Sequence, residues 1–206
     1  NATIREFVRS PEFVELRLAR TDVYVKTELA AELPRILASG PHIQRILSIL
    51  CQNALEAMHP KQGGAEHTLT IQTSTVHVHD PIMGMDIIHP GSYVVLEVSD
   101  TGVGIREEYR HKIFEPFFST KETPNVSGTG LSLSIAHRII KDHEGLIDLE
   151  SDVGKGTSFR LYFPALSAEH MAAPHEDTAP GGTEHILVVD DEAAQRYVVK
   201  RVLTQL

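Results

Sequence analysis

The sequence has a single cysteine, Cys51, no tryptophan, and no apolar run approaching the roughly 20 residues that would cross a bilayer. One thiol can form neither an intramolecular disulfide nor a thiolate metal cluster, and no secretory leader opens the chain, so a reducing, cytoplasmic setting is expected. Cationic residues are also scarce: 19 Lys plus Arg stand against 28 Asp plus Glu, a formal net charge of −9. That balance lacks the electrostatic footprint of a general nucleic-acid binder or of a protein lying on anionic lipid, so neither nucleic acid nor a membrane is expected as a direct partner. What remains is ordinary globular composition, 41% hydrophobic and 23% charged over 206 residues, enough for one sizeable domain with appendages.

Apolar spacing divides the chain into elements. Ile43, Ile46, Leu47, Leu50, Ala54, Leu55 and Met58 recur at the three-and-four spacing of one helix face, which predicts a helix over Pro41–Met58. Before it, residues 22–29 alternate like a strand, and Leu33–Leu37 resembles a short second one. After it, residues 69–78 and 93–98 form extended runs of a long antiparallel hairpin, with a connection between them that contains Pro81, Gly84, Pro90 and Gly91. A second helix is expected over Leu131–Lys141, stopped by Gly145, followed by strands over 146–150 and 158–163. Strands mixed with helices in this order predict a two-layer α/β sandwich with helices on one face of the sheet. Residues 167–183, rich in Ala, Pro, Gly and His without periodicity, read as a linker.

Several segments carry candidate chemistry. Asp100 ends an apolar strand and is followed by Gly102 and Gly104, which permit close backbone approach by a base or phosphate, or simply form a tight turn. Gly128-Thr129-Gly130-Leu131 precedes a helix whose first-turn N–H groups suit an anion, although no Gly-Lys-Ser/Thr closes it as a Walker loop would. Phe114–Lys121 runs into the polar stretch 122–126, readable as a lid over a ligand or as an ordinary surface loop. Asn53, between Gln52 and Glu56, offers a carbonyl oxygen to a hard cation such as Mg²⁺, or is an ordinary hydrogen-bonded amide. His77 and His79 alternate on a strand without a third ligand nearby and read as a solvated face, and Cys51 reads as a small core hydrophobe.

An Asn-bearing helix, Asp-x-Gly-x-Gly, a Phe-rich anchor, Gly-x-Gly-Leu-x-Leu-Ser and Gly-x-Gly-Thr-x-Phe occur once each, in the order of the N, G1, F, G2 and G3 boxes of sensor histidine kinases. Residues 13–166 thereby closely resemble the catalytic, ATP-binding domain of those kinases, a Bergerat-fold ATPase. The phrases Gln52–Met58 and Phe114–Lys121 look most like the branch with nitrogen-regulatory and many hybrid kinases. The resemblance implies that Asp100 accepts a hydrogen bond from the adenine amino group, with Thr157 in support, and that Asn53 holds Mg²⁺. It further implies that Gly102 and Gly104 let the backbone approach ATP, and that Gly128, Thr129, Gly130 and Leu131 offer main-chain donors to the phosphates. Lys121 is then a cationic contact from the lid, and Ala57 and Ile105 complete the ATP-binding set.

The chain departs from the family pattern in places. Ser132 stands where a third glycine is common, and Ile49 stands four positions before Asn53, where the gyrase-like, mismatch-repair and chaperone ATPases of this fold place a water-activating glutamate. None of the 12 histidines lies in the family's acceptor pattern, so no catalytic residue is assigned within the chain. The resemblance implies a kinase domain that passes the γ-phosphoryl group of ATP to a histidine on a separate dimerisation domain. The alternative is a nucleotide-responsive docking module of the same fold without productive transfer. Asn1–Glu12 read either as part of the catalytic domain or as the end of a preceding helix. Residues 184–206, with Ile186–Val189 running into Asp190, Asp191 and Glu192, resemble the truncated start of a receiver domain, which implies a hybrid kinase with a downstream receiver as partner.

Overall fold

The computed structural model describes residues 1–58, 67–120 and 129–166. Lys121, Gly128, the polar stretch 122–126, the linker over 167–183 and the receiver-like residues 184–206 lie outside the described residues. In chain order the elements are α1 (Ala2–Phe7), α2 (Pro11–Leu18), β1 (Val23–Leu29), α3 (Gly40–Ala57), β2 (His67–Val78), β3 (Ile82–Met83), β4 (Ile87–Ile88), β5 (Gly91–Asp100), α4 (Ser132–Asp142), β6 (Leu146–Asp152) and β7 (Gly156–Pro164). The main sheet has the order β1-β2-β5-β7-β6, parallel between β1 and β2 and antiparallel elsewhere. Helices cover one face, which is the expected two-layer α/β sandwich.

The apolar stripe of α3 explains that layering. Ile46, Leu47, Leu50 and Cys51 are almost fully buried, and they share one cluster with Leu69 and Ile71 of β2, Leu96 and Val98 of β5, and Phe159 and Leu161 of β7. Each such side chain contributes roughly 1.5–3 kcal/mol by leaving water. The first twelve residues pack into the same cluster through Ile4 and Phe7, and Glu12 accepts a hydrogen bond from the buried Ser48 hydroxyl of α3 at 2.5 Å. The hairpin β2–β5 forms as the alternation predicts, with Leu69 opposite Asp100 and Val78 opposite Gly91.

Three local expectations are corrected. Leu33–Leu37 is not a strand: Pro34 has no N–H to give a ladder, and among the described residues the segment takes a backbone hydrogen bond from Leu166 to the Arg35 carbonyl at 2.8 Å. The connection between β2 and β5 is itself structured, a ribbon of β3 and β4. Ile88 of this ribbon is buried with Val78, Tyr93, Val95 and Tyr162 on the far side of the sheet from the helices. Its turn then closes the free edge of β6, where the Ile147 N–H donates to the Asp86 carboxylate at 2.7 Å and the Asp86 N–H to the Ile147 carbonyl at 3.1 Å. The pairing at Ile147 occupies part of an edge that would otherwise be open to another chain.

The third correction concerns the end of α4. The residue in the left-handed region is Glu144 (φ 54°), not Gly145, whose N–H bonds the Ile140 carbonyl at 2.9 Å in a Schellman-type closure. Gly145 is required for space instead, since a Cβ there would stand 2.8 Å from the Ile140 side chain and carbonyl. Glu144→Gly is therefore expected to raise stability by about 1 kcal/mol, because glycine adopts this φ without the steric cost. Gly145→Ala is expected to lower it by about 1–3 kcal/mol through overpacking. Urea unfolding midpoints test both, and shifts in the same direction for the two variants would contradict this helix ending.

Candidate functional site

Across the helix-covered face of the sheet, strand register lines up Ile71, Val98, Phe159 and Leu149 as an apolar row. At the end of the sheet the next row reads Leu69, Asp100, Thr157 and Ser151, and there the interior turns polar. All three polar members are buried; Asp100 is only 9% exposed. Burial pushes the Asp100 carboxyl up to about 6, against the pull of backbone N–H groups at Gly102 and Thr157 and of nearby His67. The Gly102 N–H donates to Asp100 Oδ1 at 2.7 Å. A buried carboxyl aligned with a hydroxyl is a compact polar recognition surface in an otherwise apolar wall.

The loop after Asp100 is pinned at each step. Thr101 Oγ1 accepts the Thr68 N–H at 3.0 Å, the Val103 N–H donates to the Ala57 carbonyl at 3.1 Å, and the Ile105 N–H donates to Ser151 Oγ at 2.8 Å. The glycines are demanded by these close approaches. A Cβ on Gly102 would stand 2.7 Å from the Ala57 carbonyl oxygen, and one on Gly104 (φ +72°) would stand 2.1 Å from that of Asp152. Gly102 and Gly104 thus let the loop fit between the end of α3 and the β6–β7 turn, whatever ligand it meets.

The end of α3 brings in Asn53. Its Nδ2 is buried and has no hydrogen-bond partner among the described residues, a costly arrangement unless a ligand or water completes it. An amide can present either its oxygen or its nitrogen by rotation, so the position fits a ligand-borne cation or a phosphate-bound water. Arg20 fixes this helix end: its guanidinium pairs with Asp22 at 2.9 and 2.8 Å and also donates to the carbonyls of Leu55 and Met58. The pairing holds the Asp22 carboxyl down at about 2.

At the other side, Gly130 (φ +66°) lies against Phe117, whose N–H donates to the Gly130 carbonyl at 2.9 Å. A Cβ on Gly130 would stand 2.5 Å from the Phe117 carbonyl carbon, so the Phe-rich anchor and the glycine-rich turn fit only with glycine here. Leu131 is the N-cap of α4 and no side chain among the described residues caps it, so the first-turn N–H groups suit an anion. Thr129 is exposed beside it. The structure thus gathers Ala57, Asp100, Gly102, Ile105 and Thr157 at the end of the sheet, with Asn53 one turn before Ala57 on α3. Gly130 and Leu131 lie at the start of α4.

Other sequence candidates stand elsewhere. Cys51 is fully buried, its thiol pushed up to about 12 by burial, as a core hydrophobe should be. His77, near the end of β2, and His79, just beyond it, meet edge-on with ring centroids 4.7 Å apart, both exposed, and no group of three potential metal ligands occurs among the described residues. Ile49 is buried in α3. Sequence reasoning missed two residues of the site. Ser151 carries no signal beyond standing six positions before Thr157, and Arg20 reaches α3 from 35 residues away.

The chain matches the family described as histidine kinase-, DNA gyrase B-, and HSP90-like ATPase over residues 38–167. It is 36% identical over 198 residues to the sensor kinase CckA of Brucella abortus (strain 2308), covering 91% of this chain and 20% of that protein. The sensory histidine kinase/phosphatase NtrB of Vibrio alginolyticus is 32% identical over 158 residues, 75% of this chain and 41% of that one. The chain thus spans about a fifth and two fifths of the length of these relatives. Among solved structures, a nucleotide-free form of the catalytic domain of histidine kinase ThkA aligns with TM-score 0.57 at 30% identity, covering 80% of this chain and 91% of that chain.

The raised Asp100 pKa has a consequence for the ligand-free protein. Its stabilising contribution is complete below the ordinary carboxyl value of about 3.9 and is lost as pH rises through about 6, amounting to about 3 kcal/mol at most. Asp100→Asn should therefore be more stable than the parent at pH 8, with the advantage shrinking towards pH 4. Urea unfolding of both proteins across that range measures the difference, and parallel stability curves would mean that the carboxylate is not desolvated.

Proposed function

This chain belongs to the histidine kinase-, DNA gyrase B-, and HSP90-like ATPase family as an ATP-binding catalytic domain of the histidine kinase type, and from that premise we propose how its residues act on ATP and where the phosphoryl group goes. The γ-phosphoryl group passes to a histidine on a separate dimerisation domain, and Asp100 and Thr157 read the adenine. The observation that carries this assignment is the buried polar row at the end of an apolar sheet face, with the Asn53 Nδ2, which has no partner among the described residues, on the helix beside it.

Asp100 accepts from the exocyclic amino group, and its burial strengthens that bond relative to water. Asn53 presents its amide oxygen to Mg²⁺; when bound, the ion supplies charge neutralisation for the phosphates. Gly130, Leu131 and the first turn of α4 direct backbone N–H groups at the phosphates, and Gly128, Thr129 and Lys121 complete that side. Ala57, Gly102, Gly104 and Ile105 hold the loop against α3 and the β6–β7 turn, so that the base-reading groups are fixed before ATP arrives. The role of the domain is to position ATP. The acceptor imidazole comes from the partner domain, since none of this chain's histidines stands in an acceptor pattern.

The same reading extends to the whole protein. Residues 184–206 are the start of a receiver domain in this reading, as the apolar run ending in Asp190, Asp191 and Glu192 supports; the parent is then a hybrid kinase, anchored in a membrane or not, whose catalytic part works in the cytoplasm. Incubation with labelled ATP and Mg²⁺ should leave this chain unlabelled, whereas adding the cognate dimerisation domain should give acid-labile phosphohistidine on that domain. Nucleotide-dependent docking without label would instead favour a non-transferring module, and stable label on this chain alone would reveal an unidentified acceptor.

Two substitutions separate the roles. Asp100→Asn should weaken ATP binding by about 1–3 kcal/mol, because an amide can turn a donor towards the donor it must accept. Asn53→Ala should reduce affinity for Mg²⁺–ATP while leaving metal-free binding largely intact. Calorimetry with and without Mg²⁺ checks both; equal losses for Asn53→Ala in the two conditions would assign Asn53 a structural role.

A further inference from the structure

Ser151 is buried, 2% exposed, and its hydroxyl has three neighbours: the Ile105 N–H at 2.8 Å, the Gly156 carbonyl at 3.0 Å and Thr157 Oγ1 at 2.9 Å. A serine hydroxyl has one proton and two lone pairs. The amide of Ile105 can only donate, so it occupies one lone pair. The carbonyl of Gly156 can only accept, so it takes the proton. One lone pair remains for Thr157, whose hydroxyl must then be the donor.

We infer that Ser151 is a positioning residue for purine selectivity: by accepting the Thr157 proton it fixes Thr157 as a hydrogen-bond acceptor beside Asp100. This rests on the reading of Asp100 and Thr157 as the base-reading pair. With its proton held by Ser151, Thr157 turns only lone pairs towards the pocket, and Asp100 contributes a carboxylate. Two adjacent acceptors match a purine whose six-position bears an amino group, which offers N–H donors. They oppose a six-oxo purine, whose carbonyl oxygen is itself an acceptor. A free Thr157 hydroxyl could rotate and donate to that oxygen, so selectivity at this position depends on a residue that need not touch the base. Ser151 lies on β6, opposite Thr157 in register, which fixes the relation by strand pairing and not by a mobile loop.

Calorimetric titration with ATP and with inosine triphosphate, which carries a six-oxo in place of the six-amino group, tests the inference on the parent chain, Ser151→Ala and Ser151→Cys. The cysteine variant keeps a small side chain while replacing the hydroxyl by a weak donor and acceptor, and serves if alanine impairs folding. The parent should prefer ATP, and both variants should narrow the ATP-to-inosine triphosphate ratio by about tenfold, which corresponds to about 1.4 kcal/mol. In a Thr157→Val background the Ser151 substitutions should no longer change the ratio, because the hydroxyl that Ser151 orients is gone. Equal weakening of both nucleotides with an unchanged ratio would overturn the inference and leave Ser151 as a brace for the loop. A parent that binds the two nucleotides equally would instead overturn the base-reading assignment itself, and the inference with it.

Discussion

Keeping a carboxyl at the dry end of a sheet is the constraint on which the site depends. Asp100 stands in register with apolar Leu69 on one side and Thr157 on the other, and an ionised group there must be compensated by donors. The chain supplies them locally, by turning back so that the Gly102 N–H faces the carboxylate. That turn is possible only because the residue has no Cβ to meet the Ala57 carbonyl. The glycine, the end of α3 and the acid therefore form one mechanical unit, in which the ligand-free protein carries an electrostatic cost that a donor-bearing ligand relieves.

The rest of the fold holds that unit in place from outside. Arg20 closes the carbonyl end of α3, and its own orientation is set by Asp22 at the entry to β1. The connection between α2 and β1 thus participates in the architecture of the site, although it stands far from it in sequence. On the opposite face, the ribbon of β3 and β4 covers Tyr93, Val95 and Tyr162, which allows β5 to be buried on both sides near its start. Lys141 of α4 pairs with Asp86 of the ribbon turn at 2.6 Å, so the helix whose N-terminus faces the glycine-rich turn is also anchored at its far end.

Within this frame the division of labour is chemical. Backbone groups at Gly130, Leu131 and the start of α4 suit phosphate oxygens, because unpaired amide donors and the helix dipole act together. In the proposed reading, the side chains of Asp100, Thr157 and Asn53 provide the discriminating contacts, because only side chains differ in donor and acceptor pattern. Buried Ile49 offers no carboxylate beside Asn53, which suits a domain that delivers a phosphoryl group to an outside acceptor more than one that activates water.

The sequence by itself determined α3, the β2–β5 hairpin and the identity of Asp100, Gly102, Gly130 and Thr157 as site candidates. Each of these is legible because the signal is local: a helical period, an alternating pair of runs, or a motif whose members are a few residues apart. Tertiary structure decided the parallel pairing of β1 with β2, the ribbon that caps β6, the left-handed role of Glu144 in place of Gly145, and the failure of Leu33–Leu37 to become a strand. It also decided the parts played by Arg20 and Ser151, an ordinary arginine and an ordinary serine in sequence. The physical reason is the same throughout: a hydrogen bond across strands or between helices depends on register and approach distance, and these are set by packing the whole core.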